Sequence, residues 1–163
     1  HLLRAEVLPL PKNTFSWKND FEDSGQKNFT GSPIVKSDHT YSGEFVNALN
    51  DTYRGGGGFQ MQLEDIEAGD IYKVESRLKC FIDSPVKNAA MICQITKNDS
   101  SIYFSSIRID PKQKLPVKKW TTLETDFIIP FLIPEGKMSI YLFLNEGQDM
   151  LIDDFSVKIY SEK

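Results

Sequence analysis

Tyr72-Lys73-Val74-Glu75-Ser76-Arg77-Leu78-Lys79-Cys80-Phe81-Ile82 is the stretch that decides the fold. Tyr72, Val74, Ser76, Leu78, Cys80 and Ile82 share one parity, and Lys73, Glu75, Arg77, Lys79 and Phe81 share the other. A period of two with one apolar side is the mark of a strand that buries a single face. Residues 83–88 (DSPVKN) then read as a turn. The pattern repeats outward from there, with strands expected at 89–96, 101–109 and 119–129, and a loop over 111–116. In the strand at 137–144, Met138, Ile140, Leu142 and Leu144 face inward, while Ser139, Tyr141 and Phe143 face outward. Shorter strands are expected at 14–22, 32–36, 41–49 and 59–63. Helical periodicity is almost absent, and turn clusters recur about every 10 residues, which is the spacing of an all-β sandwich or barrel. The expected core of a two-sheet antiparallel sandwich is Leu78, Cys80, Phe127, Ile129, Ile140, Leu142 and Val157.

The chain has 163 residues, enough for one domain with its own core. Nineteen Lys and Arg stand against 23 Asp and Glu with no block of like charge, so nothing in the composition suggests capture of nucleic acid or anionic lipid. The longest apolar run, 127–134, is interrupted by Pro130 and Pro134 and is too short to span a bilayer, so no direct membrane insertion is expected. Residues 1–13 (HLLRAEVLPLPKN) read as an extended lead-in and 14–163 as a single domain. The chain is expected to be a piece of a larger protein, attached covalently to another domain. Three Asn-x-Ser/Thr matches, at Asn28, Asn50 and Asn98, would be glycan acceptors in a eukaryotic secreted protein and also arise by chance.

Asp20-Phe21-Glu22, Tyr41-Ser42-Gly43, Trp120-x-x-Leu123 with Phe127-x-Ile129-Pro130, Ile140-Tyr141-Leu142 and Ile152-Asp153-Asp154-Phe155-Ser156-Val157 follow one another in an order that resembles the jelly-roll carbohydrate-binding modules appended to xylanases and glucanases. The resemblance covers nearly all of 14–160. It implies a galactose-binding-like β-sandwich with neighbouring termini, usually a structural calcium, and sometimes a sugar-binding concave face. It implies an extracellular or periplasmic setting, and a polysaccharide or glycan partner. The same fold also serves as a ligand-free accessory domain, which stands as the alternative function.

Acidic pairs in apolar surroundings need neutralising. Carried over from the family, a calcium would take Glu22 with the Asp20 carbonyl, Asp38 with a carbonyl of Tyr41 or Ser42, and Asp153, with Asp154 as the competing choice. The other reading pairs Asp153 and Asp154 with Lys18 or Lys158, or leaves them in solvent. Sugar recognition needs flat rings flanked by hydrogen-bonding groups. Tyr141 and Phe143 are the first candidates, with Tyr53 and Tyr103 near regions that carry family binding aromatics and Arg54, Arg77, Gln60 and Gln62 available for hydrogen bonds. These rings equally suit packing under loops. Trp120 is assigned to the core and Trp17 to packing.

Gly55-Gly56-Gly57-Gly58 lacks the Lys-Ser/Thr of a phosphate loop and reads as a mobile loop beside the groove. Cys80 and Cys93 flank the 83–88 turn almost symmetrically, so they face each other if that turn makes a hairpin; a disulfide and a pair of reduced core thiols both remain open. Glu124-Thr125-Asp126 begins the carboxylate row of a jelly-roll glucanase, but Ile128 occupies the third position, and the only histidines, His1 and His39, accompany no nucleophile motif. No catalytic activity is expected.

Overall fold

The computed structural model describes residues 13–23, 26, 28–29, 33–66, 70–109, 115–130, 133, 135–146 and 148–161. Ten strands are described: β1 (Asn13–Asn19), β2 (Ile34–Lys36), β3 (Phe45–Leu49), β4 (Gly55–Gln62), β5 (Ile71–Ile82), β6 (Ala89–Lys97), β7 (Ser100–Arg108), β8 (Thr121–Ile128), β9 (Lys137–Leu144) and β10 (Met150–Ser161). The only described helix is one 3₁₀ turn at Leu63–Ile66. Except for Asn13, which opens β1, the expected lead-in lies outside the described residues, as does most of the expected 111–116 loop.

All the pairings are antiparallel. One sheet runs β2-β3-β10-β5-β8, with β1 also on β10; the other runs β4-β9-β6-β7. The chain is thus a two-sheet antiparallel jelly-roll sandwich. Between the sheets lie the inward parities of each strand, including all seven expected core residues, each no more than 1% exposed. β5 buries Val74, Leu78, Cys80 and Ile82 and turns Lys73, Arg77 and Lys79 out, because one-residue alternation leaves no other arrangement with a dry core.

Three expectations fail. The 83–88 segment is not a hairpin turn, since β5 and β6 belong to opposite sheets and the segment crosses the edge of the sandwich. Cys80 and Cys93 therefore sit in separate sheets; both are free, and burial pushes each thiol up to about 12. The true hairpin follows β6, where Asn98 (φ 50°) and Asp99 (φ 61°) form the left-handed pair that matches strand twist. Residues 55–58 are not a loop either, because they open β4. Gly56 has no room for a side chain: a Cβ would stand 2.4 Å from Leu49 Cδ1 and 2.9 Å from Ile152 Cδ1. Gly57 (φ +79°) donates its N–H to Asn47 Oδ1 at 2.9 Å over the Phe155 ring. Trp120, thirdly, is half-buried outside the core, against Phe81 (5.6 Å between centroids) and Tyr41 (6.0 Å). Trp17 does pack on the core, 5.2 Å from the buried Phe59 ring.

Candidate functional site

The outer face of the four-stranded sheet follows from the ladder register. Phe143 lies between Gly55 and Ala90, and Arg108 lies beyond Ala90; in the next row, Tyr141 is beside Ile92 and then Ser106. The third row is Gln60, Ser139, Gln94 and Phe104, and the fourth sets Lys137 between Gln62 and Thr96. Three aromatic rings thus share a surface with three amides and three Ser or Thr hydroxyls. Phe104 is 57% exposed, while Tyr141 and Phe143 are half-buried by their neighbours. Tyr141 and Phe104 stand two strands and one row apart, about 10–12 Å. Tyr53, 48% exposed, precedes the Gly55 that pairs with Phe143 by two residues, which puts it at the rim of the same end. Its turn is fixed by Asn50, whose Oδ1 accepts the N–H groups of Thr52 and Tyr53.

Two other expected ligand residues lie elsewhere. Tyr103 has the inward parity of β7; half-buried against the core, it donates its hydroxyl to the Ile128 carbonyl at 3.2 Å, and burial raises its pKa. Arg77 is on the outside of the six-stranded sheet, 3.3 Å from Glu75 and 3.5 Å from Glu124. A shallow groove passes it between Ser16, Lys18, Ser156 and Lys158, on the opposite side of the molecule from Tyr141. Phe104, Gln94 and Arg108 were missed. β7 carries one aromatic on each face, and a register shift where Ile95 pairs Tyr103 but Thr96 pairs Ser101 inverts its parity, so only the ladder reveals which ring faces out.

The acidic residues converge on the 41–45 turn that leads into β3. Asp153 is wholly buried, and its carboxylate accepts three backbone N–H groups, from Tyr41 (3.0 Å), Ser42 (3.0 Å) and Asp154 (2.8 Å). Burial raises its pKa, the three amides lower it, and the neighbouring Asp154 charge adds a small rise. Asp154 forms the bulge in β10 at φ 47°, with its Oδ1 accepting the Ser42 hydroxyl at 3.0 Å and standing 4.0 Å from Lys18 Nζ. Glu22 Oε1 accepts the N–H groups of Glu44 and Phe45 at 3.0 Å, across a Gly43 whose Cβ would sit 2.1 Å from that oxygen.

Glu22 and Asp153 therefore meet the same turn, as the first and last strands require. Asp38 is exposed, Tyr41 offers its N–H, and Asp20 Oδ1 accepts the Glu22 N–H at 3.2 Å. Among the described residues no three His, Cys, Asp or Glu side chains are grouped to hold a metal. A calcium cage needs oxygens turned inward, whereas here amide hydrogens occupy those directions. The expected five-residue set does not fit a calcium in this arrangement, and the carboxylates act as a clamp on the backbone.

Glu124 and Asp126 stand outside the six-stranded sheet near Arg77 (3.5 Å) and Lys73 (3.6 Å), so the partial glucanase row is part of an ion-pair ladder.

Compared with known proteins, the chain matches no family model and no curated protein. Its architecture does match solved structures. The C-terminal family 22 carbohydrate-binding module of Clostridium thermocellum Xyn10B superposes with a TM-score of 0.62 at 15% identity, covering 89% of this chain and 92% of that one. The chain has the jelly-roll fold of a carbohydrate-binding module. The CBM22-2 xylan-binding domain of Paenibacillus barcinonensis Xyn10C gives 0.58 at 14% identity over 90% and 99%, and a family 35 module from an environmental isolate 0.50 at 17% over 86% and 91%.

Proposed function

We propose that this protein is a non-catalytic carbohydrate-binding module that holds a polysaccharide across the outer face of its four-stranded sheet. The observation that carries this reading is one surface with Tyr141, Phe143 and Phe104 outward, interleaved with Gln60, Gln94 and Ser139. Flat rings cover the C–H faces of pyranoses and the amides take the hydroxyls, while β-strand rows set the rings along an extended chain. The fold shared with the CBM22-2 xylan-binding domain and with another family 22 carbohydrate-binding module supports the same choice. A module of this kind tethers a partner domain to its substrate, which places it outside the cell, joined covalently to another domain. The test is affinity electrophoresis against xylans, β-glucans, mannans and pectins, followed by calorimetry with oligosaccharides. Retardation by at least one polymer, lost in Tyr141→Ala, is the expected result; no retardation on the whole panel would leave the ligand-free accessory domain.

A further inference from the structure

The chain carries 23 acidic residues, yet none falls on the four strands that form the proposed binding sheet: β4 (GGGGFQMQ), β6 (AAMICQITK), β7 (SSIYFSSIR) and β9 (KMSIYLFL). The six-stranded sheet carries Glu75, Glu124, Asp126, Asp153 and Asp154. The charges on the outer binding face are cationic, Arg108 at one end and Lys137 at the other. A protein of net charge −4 has thus cleared carboxylates from one face.

The two cations differ in setting. Lys137 shares a polar groove with Glu64 and Asp99 and with Lys97, which pairs with Glu135, so carboxylates surround it. Arg108 is exposed at the end of β7, in the row of Ala90 and Phe143, and no ion pair joins it to a carboxylate among the described residues. A guanidinium is a planar fork that takes a carboxylate through two parallel hydrogen bonds.

We infer that the preferred ligand is an acidic polysaccharide, with a uronic carboxylate seated on Arg108, across Ala90 from Phe143. This inference rests on the glycan-binding reading above and specifies it. Repulsion by the protein's negative charge is avoided because the acids lie on the other sheet and in the loops.

The experiment compares one polymer in two forms, glucuronoxylan and the same material after chemical reduction of its carboxyls to hydroxymethyls. Native glucuronoxylan is expected to bind at least tenfold more tightly at low ionic strength, with the advantage shrinking in 0.5 M sodium chloride. Arg108→Gln should bring the ratio of the two affinities close to one. Arg108→Lys should keep part of the salt-sensitive preference, and Arg77→Gln, on the opposite sheet, should leave the ratio unaltered. Equal affinity of the wild-type protein for both forms would overturn the inference and leave the glycan-binding reading standing. Loss of the preference in Arg77→Gln as well as Arg108→Gln would reduce it to a net-charge effect and overturn the assignment to Arg108. Binding to neither form nor to any neutral polymer would overturn both readings.

Discussion

Truncating Phe104 to alanine separates binding from folding more cleanly than any other change on the sheet. A phenylalanine side chain presents about 200 Å², so 57% exposure leaves roughly 110 Å² in water. A sugar ring lying on one face covers between half and all of that area, about 55–110 Å². At about 25 cal/mol per Å² the stacked ring contributes about 1.4–2.8 kcal/mol, or tenfold to a hundredfold in Kd. Folding should hardly notice the change, because the lost atoms face solvent on an edge strand; within about 0.5 kcal/mol, a domain of this size shifts its melting temperature by about 2 °C or less. Calorimetry with the best-bound oligosaccharide and a thermal melt of the same preparation give both quantities. Unchanged affinity beside a working wild type would remove Phe104 from the site. A fall of more than about 4 °C would make the ring part of the packing.

Asp153→Ala strips the acceptor from the N–H groups of Tyr41, Ser42 and Asp154, and should cost about 3–5 kcal/mol, roughly 10 °C in thermal unfolding, with Asp153→Asn recovering part of it. Because amides rather than a cation satisfy Glu22 and Asp153, the melting curve should be the same with excess chelator as with millimolar calcium; a drop of several degrees on chelation would show an oxygen cage that this arrangement lacks. Cys80 and Cys93, with thiol pKa values of about 12, should react with a disulfide reagent only as fast as the protein unfolds, and fast labelling of either in the native protein would refute their burial.

The fold was legible wherever a strand buries one face and shows its period in side chains. β5 and β9 announce themselves because Val74, Ser76, Leu78 and Cys80, or Met138, Ile140 and Leu142, stand at every second place. β4 was illegible at its start because glycines have no side chain with which to show a period. Their reason is spatial: Gly56 sits against Leu49 on the neighbouring β3 and Ile152 far along the chain on β10. Whether 83–88 turns back within a sheet or crosses to the other is decided by what β5 and β6 pair with, and the composition of the segment is the same in both cases. On the candidate site, Tyr141 and Phe143 followed from β9's parity. Phe104 did not, since adjacent Tyr103 and Phe104 offer a ring to each face and the register shift at Ile95 and Thr96 is invisible in the chain. The calcium set was transferred from a resemblance that carries residue types but not the direction in which a backbone amide points.

The choice of binding face also follows from what the other sheet has already committed. Outside the six-stranded sheet, Lys73 stands 3.6 Å from both Glu75 and Asp126, Tyr160 donates its hydroxyl to Glu75 at 3.1 Å, and Arg77 bridges Glu75 and Glu124. At its far end His39 stacks on Phe81 at 5.3 Å, and Lys79 lies 4.5 Å over the Tyr41 ring while donating to Thr122. A polysaccharide docking there would have to displace cross-strand ion pairs, each worth about 1 kcal/mol or less, and uncover rings that already have partners, which subtracts from what it gains. On the four-stranded sheet the polar groups in register with Tyr141 and Phe104 are amides and hydroxyls, and in the row of Phe143 the Arg108 guanidinium, groups that hydrogen-bond a sugar as readily as water. The free-energy difference between the two faces lies less in the number of aromatics, which both possess, than in how many of their contacts the folded chain has left for a ligand to make.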